Sequence, residues 1–149
     1  MKTAKEVWKK EDPTVLKPDI SVLEGAVFTS KLPTYLWDEE MLFYGADDFW
    51  LREMTGVFPS TLRRGKKTHP VFILSRTGNF ALKLCPCSTK VNKGRYIVQG
   101  CKLKMTGNTT DKDSYILSRY SFNLPVNQSI QPKLKFGGKV PPECIMERK

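Results

Sequence analysis

Apolar positions along the chain fall in short runs broken by turn residues, a pattern that points to strands rather than long amphipathic helices. Ile20-Ser-Val-Leu-Glu-Gly-Ala-Val-Phe-Thr29 is apolar and β-branched with a glycine inside it, and reads as a bulged strand. Asp38-Glu-Glu-Met-Leu-Phe-Tyr44 sets acids before apolar residues. That order predicts a short helix capped by Asp38 and stopped by Gly45, with a further turn or two over Ala46–Met54. Pro70–Ser75 and Phe80–Cys85 flank Arg76-Thr-Gly-Asn79, whose glycine and asparagine tolerate positive φ, so a hairpin is expected there with Pro86 ending its second strand. A longer strand is expected over Arg95–Met105 with a bulge at Gly100, and another over Ser114–Phe122. The end of the chain, with Pro132, Pro141, Pro142 and Gly137-Gly138, reads as an irregular tail holding one short strand at Pro132–Phe136.

Four or five short strands in close succession predict a mainly β chain with short helices, folded as a small antiparallel barrel or strongly bent sheet. At 149 residues the expected organisation is one domain. Within it, residues 1–19 form an N-terminal arm, 20–125 the barrel with a helical insertion at about 38–54, and 126–149 the tail. No internal repeat is visible.

Charge changes this picture. The net +10 averages two unlike parts: residues 1–50 carry 6 Lys against 10 Asp or Glu, whereas residues 51–149 carry 19 Lys or Arg against 5 acids. Between Glu53 and Asp111 there are 11 Lys or Arg and no carboxylate. A field of one sign suits a polyanion. The same stretch carries Phe72, Phe80 and Tyr96 as stacking faces, along with hydroxyls and cations that contact phosphates, so nucleic acid is the expected partner. The loop Arg63-Arg-Gly-Lys-Lys67 is the leading candidate for phosphate contact, with Arg76, Lys90, Lys93 and Arg95 further along. A solubility face is the plain alternative.

Candidate chemistry is sparse. There is no phosphate-binding glycine loop, no zinc-protease motif and no carboxylate pair in the basic stretch. Cys85 and Cys87 lie one residue apart, and with Cys101, Cys144 and the single His69 they lack common zinc spacing, so they read as buried free thiols. No metal or cofactor is expected. The N-terminus is charged where a signal peptide needs an apolar run, and no segment suits a membrane span; a cytoplasmic protein is expected, with no membrane partner.

The order of these features resembles the PemK/MazF family of bacterial toxins. The resemblance rests on His69-Pro70-Val-Phe-Ile-Leu-Ser75, Cys85-Pro86-Cys87-Ser88-Thr89 and Asp113-Ser114-Tyr-Ile-Leu117, and covers roughly residues 55–125. It implies an SH3-like β-barrel, usually a homodimer, that cuts single-stranded RNA without a metal and is held by an acidic antitoxin. The family places an Arg just before the strand proline and a Thr or Ser in the Pro-x-Thr/Ser step. Here those positions are His69 and Ser88, with Thr89 one place on. Arg holds phosphate charge through a fixed fork, whereas His can move a proton near neutral pH, so the replacement implies either acid–base cleavage or a module that only binds. The structural alternatives are a loop histidine at 69, a turn cap at Ser88 or Thr89, and a turn-shaping role for Asp113.

Two function classes follow: a toxin-type endoribonuclease acting through His69 and Ser88, or a non-catalytic β-barrel module for nucleic acid or protein. The acidic first third lies outside the resemblance. Asp38-Glu39-Glu40 or Asp47-Asp48 is expected near the basic face, as a neutraliser or a gate.

Overall fold

The computed structural model describes residues 32–62, 67–126 and 134–149, together with the backbone of residues 8–9 and 17–18. The chain divides into two compact units, Met1–Leu32 and Pro33–Lys149. In the first, β1 (Trp8–Lys9) pairs antiparallel with β2 (Lys17–Pro18). The strand expected over Ile20–Thr29 lies outside the described residues, as do Arg63, Arg64 and Lys66.

The second unit is mainly β. Its strands are β3 (Met41–Asp47), β4 (Thr68–Thr77), β5 (Ala81–Ser88), β6 (Gly94–Ile97), β7 (Ser114–Ile116), β8 (Phe122–Pro125), β9 (Lys135–Lys139) and β10 (Ile145–Arg148). One α-helix, α1 (Asp48–Thr55), follows β3 directly. The strands form one antiparallel sheet in the order β10-β6-β7-β5-β4-β3-β9, with β8 also beside β5. β5 organises the curl. Its first half, Ala81–Leu84, pairs with β8, while Cys87 and Ser88 at its end pair with β7.

The sheet curls into a half-barrel. Its distant parts meet where Lys104, in the long loop after β6, exchanges backbone hydrogen bonds with Lys139 of β9 at 2.8 and 3.0 Å. Gly137 and Gly138 make this seam possible. A Cβ on Gly138 would stand 2.6 Å from Leu103 Cβ, and its φ of +136° excludes most side chains. A Cβ on Gly137 would collide with the Tyr44 ring. Thr106 Oγ1, which lies close to where a Cβ on Gly138 would stand, and Asn108 Nδ2 donate to the Gly137 carbonyl at 2.6 and 3.0 Å. Inside the curl, Leu42, Phe72, Ile97, Leu103, Ile116 and Val140 form a buried cluster with all four cysteines. Trp37, Phe43 and Phe136 stack beside one another at centroid distances of 4.2 and 5.3 Å.

The β4–β5 hairpin forms as the sequence suggests, with Gly78 at φ +52° in its turn. Several local expectations are corrected. Residues 41–47 are a strand rather than a helix, because Leu42 and Phe43 are buried between β4 and β9 and the sheet outweighs local helix signals. The helix begins at Asp48, with Asp47 as its cap in place of Asp38. Pro86 does not end its strand: its carbonyl accepts from the Leu117 backbone N–H at 3.0 Å, and β5 runs on to Ser88. The strand expected over 95–105 stops at Ile97, and Gly100 (φ +79°) sits in a turn. Ser114–Phe122 is interrupted by a 3₁₀ turn at Ser118–Tyr120. The tail supplies two strands, β9 and β10, where one was expected; β9 overlaps the expected strand at residues 135–136, and residues 132–133 lie outside the described residues. Cys101 and Cys144 form a disulfide with Cα atoms 5.9 Å apart, so only Cys85 and Cys87 are the buried free thiols expected.

Candidate functional site

One irregularity in β3 positions the site. Leu42 and Phe43 pair with Phe72 and Val71, but Ala46 and Asp47 pair with His69 and Thr68, so β3 carries one extra residue between Phe43 and Ala46. Gly45, at φ +88°, lies in this bulge. Because side chains alternate along a strand, one inserted residue switches which face every later residue presents. The shift leaves Ala46 opposite His69. Asp48, two residues on, is then anchored by a hydrogen bond from its backbone N–H to the Lys67 carbonyl at 3.0 Å.

The consequence is a close pair. His69 Nδ1 lies 2.6 Å from Asp48 Oδ1. The His69 side chain is 26% exposed and that of Asp48 only 8%. A carboxylate accepts, so Nδ1 donates to it, and in the neutral imidazole this places the lone pair on Nε2. An aspartate that holds one ring nitrogen and thereby selects the tautomer is the arrangement used by histidine general bases.

The pair lines an open cleft of about 600 Å³. Val71 pairs with Pro86, and two residues outward along each strand stand His69 and Ser88, both of which line the cleft. Lys67, Lys90 and Arg119 also line it, so three basic residues share the cleft with one histidine. Ser88 Oγ accepts the Lys90 backbone N–H at 3.1 Å. That is the turn-cap role, and it still leaves the hydroxyl hydrogen to donate into the cleft.

The remaining wall is aromatic. Gly56 (φ +82°) closes α1, and Thr55 Oγ1 accepts the Phe58 backbone N–H at 2.8 Å. Arg52 Nη1 donates to the Pro59 carbonyl at 2.9 Å, which fastens this turn to the helix. The Phe58 ring meets His69 edge-on at 5.0 Å and lies beside Tyr120 at 5.2 Å. The Arg119 guanidinium stands 4.5 Å from the Tyr120 ring centroid and donates to Asn92 Oδ1 at 3.1 Å.

Of the residues expected at a site, His69, Ser88, Lys67 and Lys90 come together here. Thr89 is exposed beyond the strand end. Lys93 and Arg95 are exposed away from the cleft lining, Arg95 opposite Glu147 of β10. Arg76 lies at the far end of the hairpin and is engaged internally: Nη1 bonds the Trp37 and Tyr35 carbonyls, Nε the Gly78 carbonyl and Nη2 the Asn79 side chain. Phe72 is fully buried and has no face for a ligand. Asp113 accepts the Gln99 backbone N–H at 2.8 Å and shapes a turn.

The acidic residues near the site act locally. Asp47 Oδ1 accepts from the N–H groups of Phe49 and Trp50, capping α1, and Asp48 holds His69. Sequence reasoning missed Phe58, Asn92, Arg119 and Tyr120. The adjacent Arg119-Tyr120 is a cation–aromatic signal, obscured by reading that segment as strand.

Among the described residues no group of three or more His, Cys, Asp or Glu could hold a metal ion, and no helix is long and apolar enough to cross a membrane. Burial pushes the Cys85 thiol up to about 12, opposed in part by Arg95, and pushes Cys87 well above its ordinary value, so neither offers a thiolate nucleophile near neutral pH. Fold and cleft together define a small antiparallel β protein with a histidine–aspartate pair set among cations. No protein-family model, curated protein or solved structure matches the chain.

Proposed function

We propose that this cleft binds single-stranded RNA and cleaves it by acid–base chemistry without a metal, as the resemblance to PemK/MazF toxins implies. The observation that carries the reading is the 2.6 Å His69–Asp48 pair in a cleft that also holds Ser88, Lys67, Lys90 and Arg119. His69 Nε2 takes the proton of a ribose 2′-hydroxyl. The 2′-oxygen bonds to phosphorus as the P–O5′ bond breaks. The products are a 2′,3′-cyclic phosphate and a 5′-hydroxyl, the O5′ proton coming from water. Lysine ammonium groups and the Ser88 hydroxyl stabilise charge on the non-bridging oxygens. In this scheme the cation that the family draws from its pre-proline Arg comes from elsewhere around the cleft.

The test is incubation of purified protein with single-stranded RNA in EDTA. Cyclic-phosphate products that disappear in His69→Ala are expected; intact RNA with wild-type protein sinks the reading. A binding-only module is the second reading, favoured by the burial of Asp48, since a buried carboxylate needs a partner for stability alone. It predicts salt-sensitive RNA binding with no cleavage.

An acidic antitoxin-like protein and a second copy of the chain are the partners this reading implies; co-purification and light scattering examine them. A cytoplasmic site of action requires Cys101–Cys144 to persist or cycle where thiol buffers keep most such pairs reduced. Alkylation of the protein in intact cells, read by mass spectrometry, decides the compartment.

A further inference from the structure

The aromatic wall of the cleft has no part in the proton transfers above. Phe58, Tyr120 and Arg119 form one column of flat groups. The two rings are 5.2 Å apart and inclined by 30°, and the guanidinium stands 4.5 Å from the Tyr120 ring. Phe58 is set by the Thr55 turn at the end of α1, whereas Arg119 and Tyr120 share the 3₁₀ turn before β8, with Arg119 held further by Asn92 in the loop before β6.

Such a column is more than a hydrophobic patch needs. Phe58 and Tyr120 are only half-buried and Arg119 is exposed, so the column is open to the cleft instead of sealed in the core. Phe58 is also in edge contact with His69 at 5.0 Å, so whatever stacks on this wall is held beside the proton-transfer group. Nucleobases stack on aromatic rings and on arginine planes, and do so with little regard to sequence because every base has a π face.

We propose that Phe58, Tyr120 and Arg119 form a base-stacking subsite, which takes a nucleobase next to the phosphodiester presented to His69. The subsite rests on the reading of the cleft as an RNA site, but it is a separate contribution. Lysines and Ser88 would hold the phosphate, and the column would fix the register of the neighbouring nucleoside. The chemical class recognised is a flat heteroaromatic base, in single-stranded form because a base within a duplex is already stacked on its neighbours.

The deciding experiment compares two strands on the wild-type protein and on its ring variants. Two short labelled strands with 2′-O-methyl riboses, which cannot be cut, are titrated against the wild-type protein by fluorescence anisotropy. One carries bases, and the other is the same backbone with every base removed. The base-bearing strand is expected to bind about 10- to 100-fold more tightly, the range that base–aromatic stacking supplies. Tyr120→Ala and Phe58→Ala should shrink that ratio toward one, while Tyr120→Phe keeps it and shows that the ring matters rather than the hydroxyl. Equal binding of the two strands by the wild-type protein overturns the subsite. If the strands are distinguished, the ring variants remove the difference and unmodified RNA stays intact, the cleavage reading fails and the subsite stands; a ratio unchanged in both alanine variants overturns the subsite. If RNA is cut while the strands bind equally, the subsite alone fails. Binding of neither strand overturns both.

Discussion

The two ends of the β4–β5 hairpin carry similar residues and use them in opposite ways. At the turn, Arg76 engages all three guanidinium nitrogens within the protein, drawing the Tyr35–Trp37 segment onto the hairpin. At the open end, Lys67, Lys90 and Arg119 line a cleft together with His69, whose Nδ1 is held by Asp48. One end holds the fold together; the other leaves polar groups available to a ligand. Sequence position does not distinguish Arg76 from Arg119, since both stand in polar stretches. The difference lies in what the fold places opposite each: backbone carbonyls in one case, the Tyr120 ring and the Asn92 side chain at the border of a cleft in the other.

Four measurements would break or sharpen this contrast. The largest effect is expected at His69. His69→Ala should lower the RNA cleavage rate by about 10²- to 10⁴-fold, the usual contribution of a positioned acid–base group, with RNA affinity little changed. Asp48→Asn should lower the rate by roughly 10²-fold by presenting the wrong tautomer. A rate at the wild-type level in either variant would make the pair structural only.

At the other end Arg76→Ala should cost about 2 kcal/mol of stability, the scale of losing hydrogen bonds from a charged group, read as a lowered urea midpoint. Its RNA affinity should stay at the wild-type value. A fall in affinity at Arg76 with no fall in stability would reverse the assignment of the two ends.

The smallest effect concerns the thiols. Cys85 titrates at about 12 when folded against an ordinary value of 9.0. Below about pH 9 both folded and unfolded chains hold this proton. Above it only the unfolded chain releases it, so the raised value is a stabilising term that is lost as pH rises from about 9 toward 12. Native protein should therefore resist alkylation at Cys85 and Cys87 up to about pH 9 and react at both in denaturant. Rapid labelling of native protein at pH 8 would show that the core around β5 opens.

The hairpin was legible in the sequence because its signals are local: a glycine–asparagine turn between two apolar runs. The mainly β class followed from the same kind of signal. The segment at 41–47 was not legible, because acids followed by apolar residues look like a helix start and only burial between β4 and β9 makes it a strand. The tail misled for a related reason. Proline and glycine read as irregular, yet Gly137-Gly138 are what allow β9 to lie against Tyr44 and Leu103. At the site, His69, Ser88, Lys67 and Lys90 were found by motif and charge. Phe58, Asn92, Arg119 and Tyr120 come from three separate segments, and no local pattern links them.

By itself, then, the sequence determined the mainly β character, the hairpin and the basic, carboxylate-free stretch that surrounds His69. These depend on residue types and short-range spacing, which a chain carries whether folded or not. Only the tertiary structure decided that Asp48 faces His69, that Cys101 meets Cys144, and that one arginine of a basic chain holds the fold while another borders a cleft. Each of those outcomes depends on register, and register is a property of strands already paired: one extra residue in β3, at a glycine bulge, precedes the carboxylate set beside the imidazole.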